Sequence, residues 1–181
     1  MHVFGEIYAK LTNFLLNGFQ SNDGQDGVIA GNWNMEGSKI VFLTQIFPEI
    51  SGHARGIIQL YSTEDNSIRT ILDEEKVPDL IRFRNPSISP DGSTVLFSAK
   101  SGTTYAIYQV NSDGSHLERV TPETYSFDIT TPVWSPDGKF FVSYAQDQNS
   151  QEILGTPTLF TSDGEIITQL GFEGSARAWI Y

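Results

Sequence analysis

The chain has 181 residues, the length of one ordinary domain, and 39% of them are hydrophobic, enough to bury a core. Eleven Lys and Arg against 22 Asp and Glu leave a formal charge of −11, which repels polyanions over most of the surface and makes nucleic acid and anionic membrane poor partners. Cysteine is absent, which excludes disulfides, thiolate catalysis and Cys-ligated zinc, while 16 Gly, 8 Pro and 12% aromatics suit an all-β chain with many turns better than a helix bundle.

Residues 1–29 read as an N-terminal segment. Phe4, Ile7, Tyr8, Leu11, Phe14 and Leu15 recur at helical spacing, yet they also supply enough apolar surface for strands completing a blade, so a short helix and strands fit equally well. Lys10 sits mid-segment and no basic cluster precedes a long apolar run, so no signal peptide is read here. Charged or polar residues interrupt every hydrophobic run before the ~20 residues a membrane span needs. Asp23-Gly24-Gln25-Asp26-Gly27 groups carboxylates around glycine as a calcium loop does, but without the third Asp and distal Glu it reads as a polar linker, and no metal is expected.

From residue 30 the chain repeats itself. Asn32-Trp33-Asn34-Met35-Glu36-Gly37-Ser38 is a worn first copy of a motif that returns as Pro86-Ser87-Ile88-Ser89-Pro90-Asp91-Gly92, and 46 residues later as Pro132-Val133-Trp134-Ser135-Pro136-Asp137-Gly138. A Trp at 179 stands 45 residues beyond Trp134, like the start of a fourth copy. Each copy carries a second hairpin: Ile58–Leu72 in the first, Ala106–Thr121 around Asp113-Gly114, and Thr158–Leu170 around Asp163-Gly164. Pro presets the first corner of a turn, Asp hydrogen-bonds its own turn backbone and Gly accepts a positive φ, so each Asp-Gly is a hairpin signal on its own. Two hairpins make four antiparallel strands per unit. The units run 30–85, 86–131 and 132–175, with a further one beginning at 176–181; a period of ~40–50 residues is that of propeller blades.

The pattern P-x-W-S-P-D-G followed by an apolar strand, N/S-x-D-G and a closing strand resembles the WD-like repeat of the TolB family over residues 30–181. The resemblance implies a β-propeller of four-stranded blades, in rings of six or more. It also implies an extracytoplasmic, periplasmic setting, with peripheral association to a membrane complex open to it. Such blades occur in periplasmic translocation factors, in propeller domains of prolyl-oligopeptidase-like enzymes, and in scaffolds. The chain supplies three to four of them, a partial or small propeller. Its open blade edge is expected to meet another protein or a copy of itself.

Catalytic parts are not found. No Gly-x-Ser-x-Gly elbow occurs, and His2, His53 and His116 are isolated, without the paired spacing of a metal site. No cofactor is expected. The acidic stretches 73–79 and 147–152 read as solvated loops. Because the Asp-Gly turns share one end of the blades, the connections between and within blades share the other, and long loops on a rigid scaffold are where function is grafted. On that loop face Arg82, Phe83, Arg84, Tyr125, Phe127, Asp128 and Arg177 stand just ahead of innermost strands, and Arg and Tyr are preferred interface anchors. The sequence thus points to a non-catalytic protein-interaction module; the alternative is the substrate-gating propeller of a prolyl-oligopeptidase-like hydrolase.

Overall fold

A computed structural model describes residues 27–47, 52–146 and 156–171. The N-terminal segment up to residue 26, the 23–27 loop apart from Gly27, the 147–152 stretch, Arg177 and the expected fourth unit lie outside the described residues.

Among the described residues twelve strands form three sheets of four, each in simple sequential order and antiparallel throughout. The first holds β1 (Gly27–Trp33), β2 (Lys39–Ile46), β3 (Arg55–Ser62) and β4 (Ile68–Asp73). The second holds β5 (Ile81–Ile88), β6 (Thr94–Ser101), β7 (Thr104–Asn111) and β8 (Glu118–Arg119), and the third β9 (Asp128–Trp134), β10 (Phe140–Gln146), β11 (Thr156–Thr161) and β12 (Ile166–Gln169). A single 3₁₀ turn, Glu74–Lys76, links the first sheet to the second. Among the described residues no helix is long and apolar enough to cross a membrane.

The turns are built as their residues dictate. In the second sheet Ser89 Oγ donates to Asp91 at 2.5 Å, Asp91 accepts from Ser93 N at 3.0 Å, and Gly92 takes a φ of 72°. The third sheet repeats this with Ser135, Asp137 and Gly138 (φ 70°). In the worn first copy Asn34 substitutes, its side-chain carbonyl accepting from Lys39 N at 2.8 Å.

Strand periodicity sends alternate side chains to opposite faces, and here both faces are used. Val41, Leu43, Ile58 and Leu60 of the first sheet pack with Val95, Phe97, Ala99 and Val110 of the second in one core. The intervening Leu96 and Ile107 face the other way and join Phe141 and Phe160 in a second core. The middle sheet is therefore buried on both sides, and β6 shows five consecutive buried residues rather than an alternation. Each large side chain so enclosed contributes about 1.5–3 kcal/mol of transfer free energy. On the first sheet Ile40, Phe42 and Tyr61 form a third apolar cluster. Strand β5 packs against both β1 and β9, which sets the first strands of the three sheets side by side, as the inner strands of propeller blades are.

The sheets begin at Gly27, Ile81 and Asp128, ahead of the turn that ends each inner strand, where the repeat is most visible. The acidic stretch 73–79 is solvated only in part: Glu75, Lys76, Pro78 and Asp79 are exposed, but Asp73 and Glu74 are buried, Glu74 at 5% exposure. All three inner strands also carry a bulge, a register shift the repeat did not announce. At the second and third, Asn85 (φ 48°) and Thr131 (φ 59°) adopt left-handed backbone immediately before Pro86 and Pro132.

Candidate functional site

Antiparallel order places the hairpin turns at one end of the sheets and the β2–β3, β4–β5 and β8–β9 connections at the other. At that loop end two seams between sheets gather polar and aromatic side chains.

The first seam is organised by Glu74. Its carboxylate accepts from Gly56 N at 2.7 Å, from Arg82 N at 3.1 Å, and meets His53 Nε2 at 2.8 Å, so one buried acid ties β3, β5 and the 47–54 connection together. Beside it Arg55 forms a two-point pair with Asp73 (2.9 and 2.5 Å) and reaches Glu75 at 2.8 Å. The hydrogen bond from Arg55 holds the Asp73 carboxyl below the usual range, and the same bond raises the Arg55 guanidinium. Gly56 is closely packed here: a Cβ would stand 3.0 Å from Phe83 Cβ and 3.2 Å from Glu74 Oε2, so either neighbour would have to shift by a few tenths of an ångström.

The second seam centres on Tyr105. Arg84 lies over its ring with Cζ 4.4 Å from the centroid, and Lys100 Nζ stands 5.9 Å from the same centroid. Lys100 and Tyr105 are cross-strand partners of the β6–β7 hairpin, which is why both reach Arg84. The Tyr105 hydroxyl is buried without a hydrogen-bond partner, a state that costs about 1–3 kcal/mol. Asp128 accepts from Tyr105 N at 2.6 Å and so clamps β9 to β7. Tyr125 and Phe127 stack at 5.3 Å with rings 14° apart and pack on the core between the second and third sheets.

Of the residues singled out in the sequence, Arg84, Tyr125, Phe127 and Asp128 thus share the second seam, while Arg82 sits exposed at the first. Phe83 is a correction: it is fully buried, edge to face with Phe97 at 5.2 Å, because β5 starts at Ile81 and alternation turns 83 inward between the two arginines. Its side chain cannot meet a partner. Asp128 likewise lies in a strand, not a loop. Sequence reasoning missed Glu74, since nothing distinguishes a buried carboxylate inside an acidic run. It also missed Lys100 and Tyr105, although the Ser101-Gly102-Thr103 turn signal would have paired them. Among the described residues no three His, Asp or Glu side chains converge as metal ligands.

No family model matches the chain. An uncharacterized protein of Agrobacterium fabrum is 32% identical over 92 residues, half of this chain but 30% of its own length. Among solved structures, TolB of Acinetobacter baumannii superposes with a TM-score of 0.58 at 22% identity, over 83% of this chain and 33% of that one. The propeller domain of the trilobed protease of Pyrococcus furiosus gives 0.56 at 14%, over 81% of this chain and 42% of that one. An oligogalacturonate lyase in complex with manganese gives 0.61 at 15%, over 81% and 43%. The class is therefore that of β-propeller proteins. The three four-stranded sheets are a partial propeller of TolB-like blades, and the chain spans about a third of the length of its Agrobacterium fabrum relative and of the Acinetobacter TolB.

Proposed function

We propose that the chain is a non-catalytic docking module whose blades present a loop face, and secondarily a blade edge, to another protein chain or a copy of itself. What supports this is the second seam: two cations on one aromatic platform beside a stacked aromatic pair, a composition typical of protein contact. A periplasmic setting, with peripheral attachment to a membrane complex, belongs to the same proposal; what supports it is the TolB likeness. The contact residues are Arg82, Arg84, Tyr125 and Phe127, with Arg177 from the sequence reading; Asp128 shapes the seam.

A photo-crosslinking side chain placed at Arg82 or Tyr125, and as control at Asp113 or Asp163 on the turn end, tests the reading in cells that make the protein. Crosslinks to a protein from the loop-end positions alone are the expected result. Equal or absent crosslinking from the loop end sinks it. The second reading, the propeller of a prolyl-oligopeptidase-like hydrolase, is favoured by the likeness to a protease propeller. It predicts that the crosslinked neighbour is a hydrolase domain carrying Gly-x-Ser-x-Gly.

A further inference from the structure

We infer that the Arg84–Tyr105–Lys100 cluster takes carboxylate side chains from an acidic peptide segment of the partner; this rests on the docking reading above. The observation behind it is an imbalance. The chain holds twice as many acids as bases, and among the nine bases of the described residues four are engaged by carboxylates or backbone carbonyls. Arg55 pairs with Asp73 and Glu75, Lys139 with Asp137, Lys39 donates to the Gly92 carbonyl, and Arg119 to the carbonyls of Thr121 and Pro122. Arg84 and Lys100, by contrast, form no ion pair with any described carboxylate. They are held instead against one tyrosine ring, Arg84 exposed and Lys100 half-buried.

A guanidinium and an ammonium fixed on one ring present a fork and a point charge side by side, which fits one or two carboxylates rather than a neutral surface. Stacking also removes much of the rotamer freedom that a surface cation otherwise loses on pairing. The overall charge of −11 does not forbid this, since fields are screened beyond about 8 Å at physiological ionic strength and the near cations decide the local attraction. It does select a short acidic segment over an extended polyanion, whose length would run onto the acidic remainder of the surface.

The test uses fluorescein-labelled octaglutamate, read by fluorescence polarisation with the whole chain at low salt. Saturable binding is expected, weakened with rising salt, at least tenfold weaker in Arg84→Gln/Lys100→Gln, kept in the charge-preserving Arg84→Lys/Lys100→Arg, and unchanged in Arg69→Gln. Circular dichroism of each variant confirms that it folds. The proposal is overturned if the double Gln variant binds as well as the parent, if octaglutamine binds equally, or if inorganic polyphosphate or phosphatidylglycerol vesicles bind and the peptide does not. Crosslinking from Tyr125 that persists in the double Gln variant would leave loop-face docking standing while removing the acidic segment. Loss of every loop-end crosslink removes both.

Discussion

Glu74 shows how much one residue can hold. Its carboxylate is the acceptor for two backbone N–H groups from different sheets, and replacing it removes both bonds while the donors stay where they are. Glu74→Ala is therefore expected to cost about 2–4 kcal/mol in urea unfolding, mostly from orphaned donors, and Glu74→Gln less, since its amide oxygen can still accept one of them. Thr131 is a different case. A β-branched residue at φ 59° is strained by roughly 1–2 kcal/mol, whereas Asn visits that region through local hydrogen bonding. Thr131→Asn is expected to raise the melting temperature by ~2 °C in calorimetry; a lower value would mean that the threonine methyl packs well enough to offset the strain. Neither feature was legible in the sequence, because an acidic run and a Thr-Pro dipeptide look the same whether solvated or constrained.

At the level of the hairpin, the second Asp-Gly of a blade does two jobs. The glycine takes the positive φ, and it also presses on the neighbouring blade: a Cβ on Gly114 would stand 2.9 Å from the Ile71 carbonyl oxygen, and one on Gly164 2.3 Å from that of Val120. In the first blade, where Asp65 caps Ser67 just as Asp113 caps Ser115, the left-handed position is filled by Asn66 (φ 56°). Gly114→Ala and Gly164→Ala should each destabilise by about 3 kcal/mol, Gly164 the more, while Asn66→Gly changes stability by less than about 0.5 kcal/mol. Losses of only about 1 kcal/mol at both Gly114 and Gly164 in chemical denaturation would show that only the turn conformation matters. The sequence announced the turn chemistry of these glycines in full, but their contact with a neighbouring blade depends on how sheets are set side by side.

Across the whole molecule the same turn aspartates couple stability to pH. Asp65, Asp91, Asp113, Asp137 and Asp163 are all held below the ordinary carboxylate range, chiefly by hydrogen bonds from Ser67, Ser89, Ser115, Ser135 and Thr161, and Asp73 by Arg55. A carboxyl whose folded pKa lies below its unfolded value stabilises the fold fully above the unfolded value, near 4, and loses that contribution as pH falls through the folded one. Stability should thus be flat from pH 5 to 7 on account of these groups and decline below about pH 4. Replacing Asp91 and Asp137 by Asn should shrink that acid-side slope, and an unchanged slope would assign the decline to other carboxyls.

By itself the sequence determined the repeat, the hairpin turns, the four-stranded unit and hence a TolB-like partial propeller, because those follow from local backbone chemistry recurring at a fixed period. It also placed Arg84, Tyr125, Phe127 and Asp128 at one end, because antiparallel order fixes which connections share an end. Only the tertiary structure decided which side chains meet: that Phe83 belongs to the core, that Glu74 is buried between sheets, and that Arg84 and Lys100 share the Tyr105 ring. Those outcomes depend on how neighbouring sheets pack, and on bulges that shift a strand's alternation by one residue, so period and spacing alone could not supply them.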